Sequence, residues 1–521
     1  MTQSIIIVGG GSAGWMSAAT LIHYFPDRKI TIIEDPDDPV VGVGESTLQH
    51  IRPWMKALGI EEEDFMSYCD ATYKSTIYYE DFYKIGDKGF HNPLGRPAVS
   101  QDFLGLNDWQ VKKFYNPDLD NREYCRDFYS IMACVENNKI YDGDDLEEYK
   151  FERDTAYHID GVKFGQWLKE HYCLKRGVQL IPGRIADVSV DEGGIACVSV
   201  AMSDDPLSST FNVAGDLYVD CTGFNSVLMN SFEDQSFVGW HDVLPCNRAW
   251  ATKVSYKDKD AQMKPYTSCK ALSHGWAWDI PLYSRRGVGY VYDSNLLDPE
   301  MAKDEFLMHL GVFEDEVELQ DIPMRVGLQN EPWKKNCVAI GLAAGFVEPL
   351  NSSGLFTVHE FLLVLVRNLQ RERYTQWDRD VYNKTVIKMF EDFANFVILH
   401  YALSIRNDSQ FWRKVTNTAY LTYSSNPCSD LAERQMKLQD HRPVGIHPVA
   451  IGMDYRMIDQ TAIDHYLWYY PGYSQGRGDD SIIKKNIEKF TNWRTQFRER
   501  WKNIERRSPT MYRYIRDRFY S

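Results

Sequence analysis

The chain has no apolar run approaching the roughly 18–20 residues of a membrane span. The stretch Phe361-Leu362-Leu363-Val364-Leu365-Val366 is short and flanked by charges, so we expect no membrane association. None of the ten cysteines forms a C-x-x-C pair, which predicts scattered, reduced structural thiols rather than a disulfide framework or a zinc ribbon. No metal-ligand spacing occurs; His91 and His158 stand apart and read as buried or surface histidines. Positive charge is in deficit: the net charge of −16 argues against a nucleic-acid partner. The basic and aromatic C-terminal stretch, residues 484–520, reads as a solvated helical face. Repeats and low-complexity linkers are absent. Residues 1–4 lead straight into an apolar strand with no basic segment or cleavage site, so a cytoplasmic protein is expected.

What is present is a long chain of ordinary globular composition. It has 521 residues, 44% hydrophobic and 25% charged, enough for two or more domains. Aromatic content is high at 14%, which suits either aromatic-lined pockets or a large core. From about residue 355 onward the chain reads as mainly helical. The expected division is therefore a core over residues 1–354 and a helical C-terminal subdomain over 355–521.

The N-terminus carries a nucleotide-binding pattern. Residues 5–8 are a short apolar strand, Gly9-x-Gly11-x-x-Gly14 is a turn opening a helix, and residues 29–33 form a second strand ending at Glu34. Glycines at these positions allow the tight turn, the approach of backbone to a pyrophosphate, and close packing of helix on strand. The helix N-terminus supplies N–H donors to phosphate. Glu34 is placed to accept from ribose hydroxyls, which disfavours a 2′-phosphate. The pattern alone leaves FAD and NAD both open. Three further small-residue loops favour FAD: Gly42-Val43-Gly44-Glu45-Ser46-Thr47, Asp220-Cys221-Thr222-Gly223 and Gly341-Leu342-Ala343-Ala344-Gly345. A second dinucleotide pattern is missing, so reducing equivalents are expected from outside. An alternating tract over residues 185–200 reads as a hairpin turning at Asp191-Glu192-Gly193-Gly194.

The run Gly275-Trp276-Ala277-Trp278-Asp279-Ile280-Pro281 puts two indoles on one face of a strand. Pro281 has no N–H and suits a strand end. Taken alone the run is equally a core strand. Downstream lies Phe346-Val347-Glu348-Pro349-Leu350-Asn351-Ser352-Ser353-Gly354, and upstream a lysine, Lys74, in Thr72-Tyr73-Lys74-Ser75-Thr76.

In this order the segments resemble the flavin-dependent halogenases of the tryptophan-halogenase type. Gly9-x-Gly11-Ser12-Ala13-Gly14-Trp15 is similar to the family's flavin fingerprint, and Gly44-Glu45-Ser46 lies in a segment similar to its flavin-contacting strap. Trp276-x-Trp278-x-Ile280-Pro281 matches a signature that separates halogenases from flavin hydroxylases. Phe346-x-x-Pro349-x-x-Ser352-x-Gly354 matches a third, near flavin and halide. The resemblance further assigns Ile185, Leu342 and Leu355 to flavin contact, Ser353 and Gly354 to halide, and Lys74 to catalysis.

The resemblance implies an α/β fold of the FAD-binding, hydroxylase or glutathione-reductase-like kind, with a mixed sheet, a second antiparallel sheet and a helical C-terminal cap. It also implies a reaction. FADH2, O2 and halide yield hypohalous acid, which passes through a tunnel to Lys74 and on to an electron-rich ring. A separate NAD(P)H-dependent flavin reductase is the implied partner, and the chain is a candidate homo-oligomer. A lysine suits the role because a buried ammonium has a readily shifted pKa; its plain reading is a solvated surface residue. A Ser/Gly turn at a helix start is a natural anion nest, and equally an ordinary helix cap.

One position departs from the family. Tryptophan halogenases place a glutamate where this chain has Asn351. Asparagine cannot act as a base but can orient Lys74 or the halogen species. Glu348 is a second acid nearby. An indole-like, phenolic or pyrrolic substrate other than free tryptophan is expected. The competing readings are an FAD-dependent aromatic hydroxylase and a degenerate flavin-binding protein.

Overall fold

The computed structural model describes residues 3–37, 42–98, 106–202, 210–371, 373–425, 446–454 and 480–520. Packing divides the chain into two compact units, each gathered from three segments. The first comprises Met1–Thr72, Ala156–Ser255 and Ala277–Ile398; the second comprises Tyr73–Thr155, Tyr256–Trp276 and Leu399–Ser521.

The first unit is built on strand β1 (Ser4–Val8), helix α1 (Ser12–Tyr24) and strand β2 (Lys29–Glu34). Both strands read as continuous apolar runs because both their faces are covered. A six-stranded sheet forms around them in the order Trp333–Lys334, Cys337–Ala339, Leu217–Asp220, β1, β2, Gln179–Pro182. All neighbours are parallel except the edge strand Trp333–Lys334, so the sheet is mixed, as expected. The hairpin read from residues 185–200 is present as Arg184–Asp191 and Gly194–Ala201. Its turn is tied by Asp191 Oδ1, which accepts from Gly193 N at 2.7 Å. Strands Gln320–Pro323, Arg248–Ser255 and Arg285–Tyr292 pair antiparallel and supply the second sheet. Helix Gly354–Leu369 and most of helix Gln376–Ala402 also belong to this unit.

In the second unit, strand Thr76–Glu80 lies between Phe90–Pro93, antiparallel, and Tyr266–Ala271, parallel. Around it are the helices of the C-terminal region, including Gln410–Ser425, Asp480–Arg507 and Met511–Phe519. The basic stretch of the sequence is helical, and part of it is core. Arg494 is 1% exposed, and its guanidinium stacks 4.2 Å from the Phe128 ring. Its planar, weakly hydrated cation tolerates burial against aromatics, which the solvated-face reading did not foresee.

Candidate functional site

The turn after β1 is shaped by backbone crowding. A Cβ on Gly9 (φ +111°) would lie 2.3 Å from Cys221 O, and one on Gly14 would lie 1.9 Å from Gly9 O. Gly11, by contrast, faces open space, with nothing within 4 Å of its absent Cβ. It is also the N-cap of α1, and no side chain caps this helix. The first N–H groups of α1 are thus left to an exogenous acceptor beside an open glycine, which fits a pyrophosphate. Glu34, the acid that ends β2, lies beside Gly10. It accepts from Trp15 Nε1 at 3.4 Å and pairs with Lys169 Nζ. Lys169 carries no distinguishing sequence signal.

The strap that follows is held from the second sheet. Arg285 donates to Val43 O at 3.1 Å, to Gly42 O at 2.9 Å and to Asp160 Oδ2 at 2.8 Å. A Cβ on Gly287 would lie 1.6 Å from Val43 O, so strap and strand touch backbone to backbone. Gly44 turns the chain at φ +117°, and Glu45 and Ser46 then pair antiparallel with Ile159 and His158. Burial, aided by the nearby Asp160 carboxylate, lifts the Glu45 carboxyl to about 7.

Asp220 ends its strand fully buried. It is occupied within its own loop, accepting from Thr222 Oγ1 at 2.6 Å and from the amides of Leu228 and Met229, each at 2.9 Å. Of the three residues assigned to flavin by resemblance alone, Leu355 is buried, Ile185 half-buried and Leu342 38% exposed.

The third motif forms a tight turn into a helix. Pro349–Asn351 is one 3-10 turn, Ser352 adopts φ +59°, and Ser353 is the N-cap of Gly354–Leu369. Asn351, Ser352 and Ser353 are all buried. Ser352 Oγ donates to Ser46 Oγ at 3.0 Å, joining this motif to the strap. Glu348 is fully buried and accepts from Cys246 N at 3.3 Å. Phe346 packs edge-on against Phe224, with ring centroids 5.4 Å apart.

The tryptophan run is strand Gly275–Pro281, as expected. Trp278 is half-buried against Gly289, where a Cβ would lie 2.2 Å from the indole. The Pro281 carbonyl accepts from Thr72 Oγ1, and Thr72 also meets His158 Nδ1 at 3.1 Å. His158 is therefore a buried, hydrogen-bonded core residue.

Trp276 and Lys74 belong to the second unit, and both are buried. Lys74 ends strand Thr72–Lys74 and has no solvent-exposed surface. That excludes the surface-lysine reading. Burial pushes its ammonium down to about 7, an effect that the Cys269 thiol partly opposes. His91 is half-buried, bonded to Thr76 Oγ1 at 2.8 Å, and is held neutral by desolvation, its pKa pushed down to about 3. Among the described residues no group of histidines, cysteines and acids is placed to hold a metal, and no helix is long and apolar enough to cross a membrane.

This combination of nucleotide turn, strap, tryptophan strand and buried lysine coincides with a known family. The tryptophan halogenase family model matches residues 4–441. The chain belongs to the tryptophan halogenase family. A 7-chloro-L-tryptophan 6-halogenase, KtzR, from Kutzneria sp. strain 744 is 34% identical over 78% of this chain and 81% of its own length. The apo structure of VirX1 superposes over 100% of this chain and 99% of its own, with 31% identity and a TM-score of 0.88. The crystal structure of the tryptophan 6-halogenase SttH from Streptomyces toxytricini covers 98% of this chain and 99% of its own, at 29% identity and a TM-score of 0.81. The fold is thus the FAD-binding fold of the flavin-dependent halogenases, and the chain is a halogenase of that class acting on aromatic substrates.

Proposed function

We propose that this halogenase uses FADH2, O2 and halide to make hypohalous acid and delivers it through Lys74 to an electron-rich aromatic ring other than free tryptophan. The observation that carries the reading is Lys74, a lysine without solvent exposure whose pKa sits at about 7. Near neutral pH such a group exists both as amine and as ammonium. It can capture an electrophilic halogen or hold it by hydrogen bonding.

The bound flavin would supply the oxidising equivalent. The chain's own residues do the rest. Gly9, Gly11, Ser12, Ala13 and Gly14 would hold the pyrophosphate at the uncapped start of α1. Glu34 would orient the ribose. The strap residues Gly44, Glu45 and Ser46, with Ile185, Leu342 and Leu355, would line the remainder of the flavin. The amides of Ser353 and Gly354 open a 16-residue helix and form an anion nest for halide. Trp276, Trp278 and Pro281, with Phe346, Pro349 and Ser352, would keep organic substrate from the flavin. Asn351 has no basic form, so its part is to orient the halogen species. The chain carries one dinucleotide fingerprint, which supports a separate flavin reductase as its electron source.

The test is turnover with FAD, an external reductase and NADH on a panel of indoles, phenols and pyrroles, each with chloride, bromide, iodide or no halide. Halogenated product that requires halide is expected. A hydroxylated product formed without halide would move the assignment to an aromatic hydroxylase.

A further inference from the structure

Glu34 stands where the acid of the nucleotide turn would meet a ribose, and its carboxylate is held on both oxygens. Oε1 accepts from Trp15 Nε1 at 3.4 Å, and Oε2 is paired with Lys169 Nζ. The side chain packs down onto the turn itself: a Cβ on Gly10 would lie 2.2 Å from Glu34 Cγ. Trp15 is 1% exposed, so its indole is a fixed wall, and the Lys169 ammonium lies 5.6 Å from the centre of that ring. Among the described residues, Lys169 is the one basic side chain paired with Glu34, and Glu34 the one acid paired with Lys169.

The backbone is shaped to deliver this lysine. Helix Gly161–Trp167 lies across the start of α1: Ser12 Oγ donates to Gly161 O at 2.8 Å, and a Cβ on Gly165 would lie 3.5 Å from Ser12 Cα. It does not run on as an α-helix. Leu168–Cys173 is a π turn, and Leu174–Arg176 a 3-10 turn. A π turn closes its hydrogen bonds over one residue more than an α turn, so it re-aims the side chains it carries, and such turns recur at functional sites. Leu168, Tyr172 and Cys173 of this turn are buried, and Cys173 Sγ donates to Trp15 O at 3.7 Å. With those three packed inward, Lys169 is left half-buried and paired with Glu34.

We infer that Lys169 is a positioning residue for the cofactor: it neutralises Glu34 and fixes its carboxylate, so that a ribose-binding acid can stand against the glycine turn that takes the pyrophosphate. This rests on the reading of Gly9-x-Gly11-x-x-Gly14 as the flavin pyrophosphate site. The electrostatic reason is direct. A bare carboxylate beside Gly10 would repel the negative pyrophosphate, and at partial burial that repulsion is weakly screened. The paired ammonium cancels it and leaves the carboxylate its remaining lone pairs for ribose hydroxyls.

The experiment is a double-mutant cycle on FAD affinity in the full-length protein, read by flavin fluorescence. Lys169→Met and Lys169→Gln should each weaken FAD binding about tenfold, and Lys169→Arg should stay within about twofold of wild type. The deficit of Lys169→Met should shrink at about 0.5 M salt, which screens the repulsion. Added to Glu34→Gln, Lys169→Met should cost less than about twofold, because no carboxylate charge is left to compensate. A lysine that merely props up the helix would cost the same on either background. Equal losses on the two backgrounds, or wild-type affinity in both Lys169→Met and Lys169→Gln, overturn the inference. Wild type that binds no FAD would instead overturn the reading of the glycine turn.

Discussion

Glu45 Oε2 lies 3.6 Å from the point where a Cβ on Gly354 would stand. The strap thus brings a carboxyl to the first residue of the helix whose N-terminus is the proposed halide nest. A carboxylate there competes with an anion for the same positive end of the helix. Burial, with Asp160 close by, has already lifted this carboxyl to about 7, and Asp160 is itself paired with Arg285. At the proposed nest a neutral carboxyl below pH 7 would admit halide, and a negative charge above it would oppose binding. Chloride affinity of the flavin-loaded enzyme, followed by flavin fluorescence from pH 5.5 to 8.5, should weaken as pH rises through 7. Glu45→Gln should flatten the profile, and an unchanged profile in that variant would sink the idea.

Lys74 should trade stability for function. Burial disfavours the charge and pushes its folded-state pKa down to about 7, well below the ordinary lysine range. A depressed value contributes stability above the unfolded pKa and loses it as pH falls toward 7. Lys74→Met keeps the apolar stem and removes the charge. It should abolish halogenation, leave flavin affinity unchanged and raise the melting temperature at pH 7 by at least about 2 °C. Calorimetry of the two proteins at pH 6, 7 and 9 checks this, with the gain smallest at pH 9.

Arg285 should hold the strap. It is the shared partner of Gly42, Val43 and Asp160, and Asp160 in turn caps helix Gly161–Trp167 by accepting from Lys163 N at 3.2 Å. Arg285→Met leaves two carbonyls and a largely buried carboxylate without their donor. We expect a loss of about 2–4 kcal/mol in denaturant unfolding and at least about tenfold weaker FAD binding.

Asn351→Glu should show whether this position selects substrate. The residue is 3% exposed and stands three positions from the buried Glu348. A second carboxylate is therefore costly, and about 1–3 kcal/mol of stability should be lost. Turnover of free tryptophan, measured beside indole, should rise in the variant. Loss of turnover on every ring would instead give Asn351 a role of its own.

How much of this was legible in the sequence follows from how local each feature is. The β1–α1–β2 unit, the 184–201 hairpin and the 275–281 strand are written in neighbouring residues by glycine spacing and alternation, and the structure has them in place. The strap clamp was invisible, because Arg285 and Val43 are 242 residues apart and an arginine on an antiparallel strand has no distinguishing pattern. Lys169 beside Glu34 was hidden for the same reason. Asp220 looked like part of a cofactor loop, yet its carboxylate is used up by four groups of its own turn.

The central claim is that a buried Lys74 delivers electrophilic halogen to an aromatic ring. The most direct measurement is product analysis by mass spectrometry with FAD, reductase and bromide, in wild type and in Lys74→Ala shown to bind FAD normally. The account predicts a brominated ring from wild type and none from the variant, which should still consume NADH and O2. Brominated product of the same regiochemistry from Lys74→Ala, at a rate near wild type, would contradict it.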